Sequence, residues 1–116
     1  MIKKGIKQLI AEAEKRTQGI SVEQAKARLG EASTVFVDIR DVRELEREGM
    51  IPGAFHAPRG MLEFWVDPAS PYHKKVFSEP GKRYVLFCAA GWRSALATVT
   101  MLEMGVEVRM PPSMPF

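Results

Sequence analysis

Two short apolar runs rich in β-branched residues, Val35-Phe36-Val37-Asp38-Ile39 and Tyr84-Val85-Leu86-Phe87-Cys88, constrain this chain more than any other feature. Neither alternates cleanly between apolar and polar positions, so each reads as a strand covered on both faces. The segments around them supply helices. Ile2, Ile6, Leu9, Ile10 and Ala13 form one stripe at helical spacing, with Gly19 where that helix would stop. Ser21 with Gln24 makes a capping box for a second helix through Ala25 and Leu29, closed by Gly30. Asp41 with Glu44 opens a third through Leu45, ended by Gly49, and Ser70-Pro71 opens a fourth through Val76 and Phe77 before the Pro80-Gly81 turn. Ser94 to Met104 reads as a fifth, terminated by Gly105, and Val106 to Arg109 as a further strand. Strands alternating with helices imply an α/β fold, a small parallel sheet flanked by helices on both faces.

Size and charge exclude several functions. A chain of 116 residues, 46% hydrophobic and 27% charged, is one ordinary globular domain. Seventeen basic against fourteen acidic residues leave 17 − 14 = +3, too small and dispersed a surplus to indicate nucleic acid. Lys3, Lys4, Lys7, Glu12 and Glu14 interrupt the N-terminal stretch where a secretory signal would need an apolar run, and no run reaches the roughly 18 residues of a membrane span. The expectation is a cytoplasmic protein with no membrane or nucleic-acid partner. The mixed-sign polar face of the first helix fits packing or partner contact better than a membrane surface. His56 and His73 are the only histidines and one cysteine is present, so neither a metal site nor a cofactor is expected. Asp38, Arg40 and Glu44 read as a buried charge pair and cap at the first strand-to-helix turn, and Met61, Phe64 and Trp65 as core in preference to a pocket rim.

Cys88 decides the functional reading. It is either buried filler or a reactive thiol, and its surroundings favour the second. The stretch Cys88-Ala89-Ala90-Gly91-Trp92-Arg93-Ser94 stands between a strand and the start of a helix. In parallel α/β sheets ligands sit beyond the carboxyl ends of strands. A loop curling there toward a helix N-terminus aims several backbone N–H groups at one point, an anion cradle reinforced by the helix dipole. Gly91 permits the curl and Arg93 adds a positive charge. Such a setting favours the thiolate and needs no histidine base.

These residues together resemble the single-domain rhodanese family of sulfurtransferases. Val37-Asp38-Ile39-Arg40-Asp41 with Glu44 is similar to the family's first strand and helix, and Ile51-Pro52-Gly53-Ala54 to its turn before a short strand. Cys88 to Ser94 is similar to the active loop, and the helix after it to the family's small and apolar pattern. The resemblance implies a rhodanese-like domain over residues 20–110, with a helical extension at 1–19 and a proline-rich tail at 111–116. It further implies that the Cys88 thiolate takes a sulfane sulfur from a small-molecule donor such as thiosulfate. The resulting persulfide is then passed to cyanide or a thiol. Ala89, Ala90, Gly91, Trp92, Arg93 and Ser94 would form the substrate-binding loop, with Trp92 lining the pocket, Arg93 attracting the donor, and Arg59 after Pro58 assisting. Cysteine phosphatases, the main competitor, resemble C-x5-R, whereas Cys88 to Arg93 is C-x4-R, a smaller loop better suited to sulfur than to phosphate. An arsenate reductase belongs to the same competing group. A non-catalytic binding module is the other alternative, and such modules commonly lose the cysteine.

One departure stands out. The family usually closes its sheet with a Gly-Gly turn and a helix, whereas here Met110-Pro111-Pro112-Ser113-Met114-Pro115-Phe116 carries three prolines that forbid one. Relative to the family the C-terminus is truncated, as truncation or a shifted reading frame would make it. The expectation is an uncovered apolar face, filled by the Ile2, Ile6, Leu9, Ile10 stripe or by self-association through that helix or the tail.

Overall fold

The computed structural model describes residues 1–114, so Pro115 and Phe116 of the tail lie outside the described residues. In chain order the elements are α1 (Ile6–Arg16), α2 (Val22–Arg28), β1 (Thr34–Asp38), α3 (Val42–Glu48), β2 (Phe55–His56), α4 (Leu62–Val66), β3 (Arg83–Phe87), α5 (Trp92–Glu103) and β4 (Val108–Arg109). The sheet has four strands, all parallel, in the order β2-β1-β3-β4. The two apolar runs are its central pair, in register from Thr34 opposite Arg83 to Asp38 opposite Phe87.

Both faces are covered, which is why the runs do not alternate. Val37, Ile39, Leu86 and Cys88 point to one face and pack with Leu62 and Val66 of α4 and Met101 of α5. Phe36, Val85 and Phe87 point to the other, against Ile20, Ala25 and Ile51. Phe36 and Phe87 meet edge to face with ring centroids 6.3 Å apart.

Local signals set the first helices. Ser21 and Gln24 form the capping box of α2, and Asp41 and Glu44 that of α3, each side chain bonding the other residue's backbone N–H. The helix expected from Ser70-Pro71 is absent. There Asp67 accepts from the Ala69 N–H and Ser70 from the Tyr72 N–H, and these local turns hold the backbone, leaving only a 3-10 turn at Lys75–Phe77. α5 starts at Trp92, earlier than Ser94, because Gly91 takes the left-handed conformation at φ +85° and turns the chain directly into the helix.

The tail departs most from expectation. Met110, Pro111 and Met114 are buried, and Met114 fills the face of Phe36, Val85 and Phe87. Irregular chain with buried side chains covers this part of the sheet without a helix. α1 helps in the same molecule: Ala13 packs with Ala95 of α5 and Met110, and Gly19 pairs in parallel with Met110. Ile10 is buried, while Ile2, Ile6 and Leu9 stay exposed. Among the described residues no helix is long and apolar enough to cross a membrane.

Candidate active site

The sheet order reverses direction between β1 and β3, so a crevice opens beyond their carboxyl ends. Charged side chains stand at the end of β1, and the thiol follows β3. Asp38, the last residue of β1, and Arg40 form a buried ion pair, with Arg40 Nη2 donating to Asp38 Oδ2 at 2.8 Å and to the Gly49 carbonyl at 2.9 Å. Their partners are charge-assisted and well aligned, which keeps two buried charges tolerable and ties the start of α3 to its end. His56 donates from Nε2 to the Arg40 carbonyl at 2.7 Å, and His73 bonds the Trp65 carbonyl and Ser78 Oγ. Both histidines are thereby occupied with loop closure.

After β3, Cys88 is buried, and its thiol reaches Ser94 Oγ at 3.5 Å. That contact sets the sulfur against the first turn of α5. The N-cap of this helix is Gly91, which supplies no side-chain acceptor, so the first-turn N–H groups project toward the loop without a capping side chain. The loop is also closed from outside. A Cβ on Gly91 would overlap the Pro112 carbonyl oxygen, so only glycine lets the tail cross at this distance. Ala89 is half-buried and Ala90 exposed.

Arg93 binds Glu44 of α3 through two parallel bonds, Nη1 to Oε2 at 2.7 Å and Nη2 to Oε1 at 2.9 Å. This clasp joins α5 to α3 across the crevice. The Arg93 guanidinium holds the Glu44 carboxyl well below its usual range, at about 2. Arg93 is raised in turn, chiefly by Glu44, with burial opposing and the Cys88 sulfur adding a smaller pull. Arg93 therefore stands beside the thiol with much of its charge already shared. Its reach to Glu44 was not readable from spacing, since Glu44 announces only its role as a cap.

Two other residues fall elsewhere. Arg59 bonds Glu63 at 2.6 Å and reaches Thr100, two turns down α5 from the end where Cys88 sits. Its expected help at the loop is not what this geometry provides, because its neighbour Glu63, one helical turn on, captures the guanidinium. Trp92 is 65% exposed and lines a cleft with Ile6, Lys7 and Ile10 of α1. Among the described residues no three His, Cys, Asp or Glu side chains cluster to hold a metal.

The rhodanese-like domain model matches residues 21–110. The chain belongs to the rhodanese-like domain family. A mouse thiosulfate sulfurtransferase/rhodanese-like domain-containing protein 3 is 27% identical over 92 residues, 76% of this chain. The chain spans 59% of that relative's length. A protein of unknown function from Rhodopseudomonas palustris, described as a possible tyrosine phosphatase, is 44% identical and superimposes with a TM-score of 0.90 over 97% of this chain and 88% of its own. A thiosulfate sulfurtransferase from Pseudomonas aeruginosa is 26% identical with a TM-score of 0.72, covering 90% of this chain and 19% of the longer one. The sheet, the flanking helices and the loop after β3 are thus those of a rhodanese-like domain. The family match leaves α1 and the tail beyond Met110 outside it.

Proposed function

We propose that this rhodanese-like domain is a sulfurtransferase carrying its sulfur on Cys88. The observation that supports this most is the seating of the only thiol on the first turn of α5, 3.5 Å from Ser94 Oγ, in a C-x4-R loop whose N-terminal N–H groups lack a capping side chain. A thiolate there attacks the outer sulfur of thiosulfate, the S–S bond breaks, sulfite leaves with the electron pair, and a persulfide anion remains on Cys88. Fixed N–H dipoles stabilise that anion without reorganising. Cyanide, or a thiol, then removes the outer sulfur and restores the thiolate. Arg93 attracts the anionic donor, and Glu44 holds the guanidinium still at the cost of some of its field.

A phosphatase reading has one observation in its favour, the 44% identical relative described as a possible tyrosine phosphatase. Against it stand the short Cys88-to-Arg93 spacing and the commitment of the end-on Nη1/Nη2 fork of Arg93 to Glu44, which takes up one of the edges a bidentate phosphate contact would use. Incubation with thiosulfate followed by intact-mass measurement separates the two. The expected result is one added sulfur, removed by cyanide and absent in Cys88→Ser. No adduct, together with phosphate release from an aryl phosphate, would replace this reading with the phosphatase. Neither activity would leave a binding module.

A further inference from the structure

The tail beyond Met110 lies outside the family match, and a methionine anchors it on either side of the Cys88 loop. Met110, before the crossing, packs on Ala13 of α1 and Ala95 of α5, and its carbonyl accepts from the Ile20 N–H at 3.1 Å. Met114, after it, fills the opposite face of the sheet beside Phe36, Val85 and Phe87. Between these anchors Pro111 is fully buried and the Pro112 backbone lies against Gly91. The three atoms nearest to where a Gly91 Cβ would stand all belong to Pro112, and Gly91 is buried while its neighbour Ala90 is exposed.

That contact bears on the thiol. Cys88 is 1% exposed, so an incoming reagent reaches Sγ only when the loop moves. Gly91 is the loop's hinge onto α5, and it cannot swing toward the tail while Pro112 occupies that side. The tail is the partner able to yield. Pro111 and Pro112 have no backbone N–H, and among the described residues no backbone hydrogen bond ties 111–114 to the rest of the chain. Its hold is the burial of Pro111 and Met114. Segments held by few contacts and no hydrogen-bonded ladder open locally, without unfolding the sheet beneath them.

We propose that Pro111–Met114 is a latch on the Cys88 loop. Docked, it holds the loop shut over the thiol; released, with Met114 withdrawn from the sheet, it lets the loop open and the sulfur meet its reaction partners. As a control on sulfur transfer the latch rests on the reading above. As a gate on the thiol it has a readout of its own, because Cys88 is the only cysteine and its modification reports access to Sγ directly.

Two measurements on the full chain test this. The rate of Cys88 alkylation by iodoacetamide, in which the thiolate displaces iodide, is compared in the parent, Met114→Ala, Ser113→Ala and Val66→Ala. Ser113 is exposed on the same segment, and Val66 is buried against the other face of the sheet, so its truncation loosens the fold without touching the tail. Met114→Ala is expected to react about tenfold faster than the parent, and the two controls to stay within about twofold of it. On the parent alone, the alkylation rate in urea below the unfolding transition should rise with a slope well under that of global unfolding, as local opening requires. Equal rates in parent and Met114→Ala, an equal rise in Val66→Ala, or a urea slope that is flat or equal to the global one overturns the latch, whether or not thiosulfate loads Cys88. A rise specific to Met114→Ala with no persulfide from thiosulfate in any of the four proteins keeps the gate on the thiol and overturns the sulfur-transfer reading.

Discussion

Arg93 and Glu44, separated by 49 positions, are joined by two hydrogen bonds of 2.7 and 2.9 Å that bridge α5 and α3 over the crevice beyond β1 and β3. Because Glu44 also accepts from the Asp41 N–H at 3.0 Å, one carboxylate both starts a helix and fixes the arginine beside the thiol.

The clasp makes stability depend on pH in a defined window. With its carboxyl lowered from 4.5 to about 2, Glu44 contributes stability that is present above its ordinary range and lost as pH falls toward the folded value. Arg93 is 43% exposed, so solvent screening holds the contribution to about 1 kcal/mol. Glu44→Gln keeps the cap and removes the charge. Thermal denaturation of both proteins from about pH 7 to about pH 2 should show a deficit in the variant that closes at the acid end. A deficit constant with pH would place its origin in the cap.

Gly91 and Gly30 share a φ of +85° and differ in what surrounds them. A Cβ at Gly30 meets nothing, whereas one at Gly91 overlaps Pro112. Gly30→Ala should cost about 1 kcal/mol for left-handed backbone alone. Gly91→Ala should cost at least twice as much in urea denaturation and depress sulfur loading as well. Equal costs would mean the tail yields freely.

Met114 is 4% exposed among Phe36, Val85 and Phe87. Met114→Ala should lower stability by about 2 kcal/mol, the lower end for a buried methionine because the tail can settle inward. Ser113→Ala, exposed on the same segment, is the control and should change nothing measurable. Matching curves for all three proteins would mean the tail does not cover the sheet in solution.

Arg59→Ala tests the geometry of the second arginine. With Arg59 held by Glu63 and directed toward Thr100, its loss should shift the Michaelis constant for thiosulfate less than twofold, whereas Arg93→Ala should raise it several-fold. A larger effect at Arg59 would require the loop to draw it in when substrate binds.

What the sequence disclosed was mostly what is decided within one turn of chain. The capping pairs Ser21 with Gln24 and Asp41 with Glu44 are local, and both form. The doubly covered strands were legible because burial on both faces erases alternation, and the Cys88 loop because strand, glycine and helix follow in order. The missing helix after Ser70 shows the limit, since Ser and Asp favour helix starts and tight turns alike, and tertiary context chooses. Contacts across the fold gave no signal at all. The grip of Glu44 on Arg93, the capture of Arg59 by Glu63 and the passage of Pro112 over Gly91 all require the folded chain.

The parallel pairing of β1 with β3 places Thr34 opposite Arg83, and 83 − 34 = 49 is also the separation of Glu44 and Arg93. Residues 34–83 and 44–93 are overlapping loops of equal length, so pairing the strands already brings the ends of the clasp close and most of the closure entropy is lost once. The clasp closes at little further cost once the central strands have paired. Refolding should therefore deliver a competent Cys88 loop in the same kinetic phase that buries the central strands, with no early intermediate able to carry sulfur.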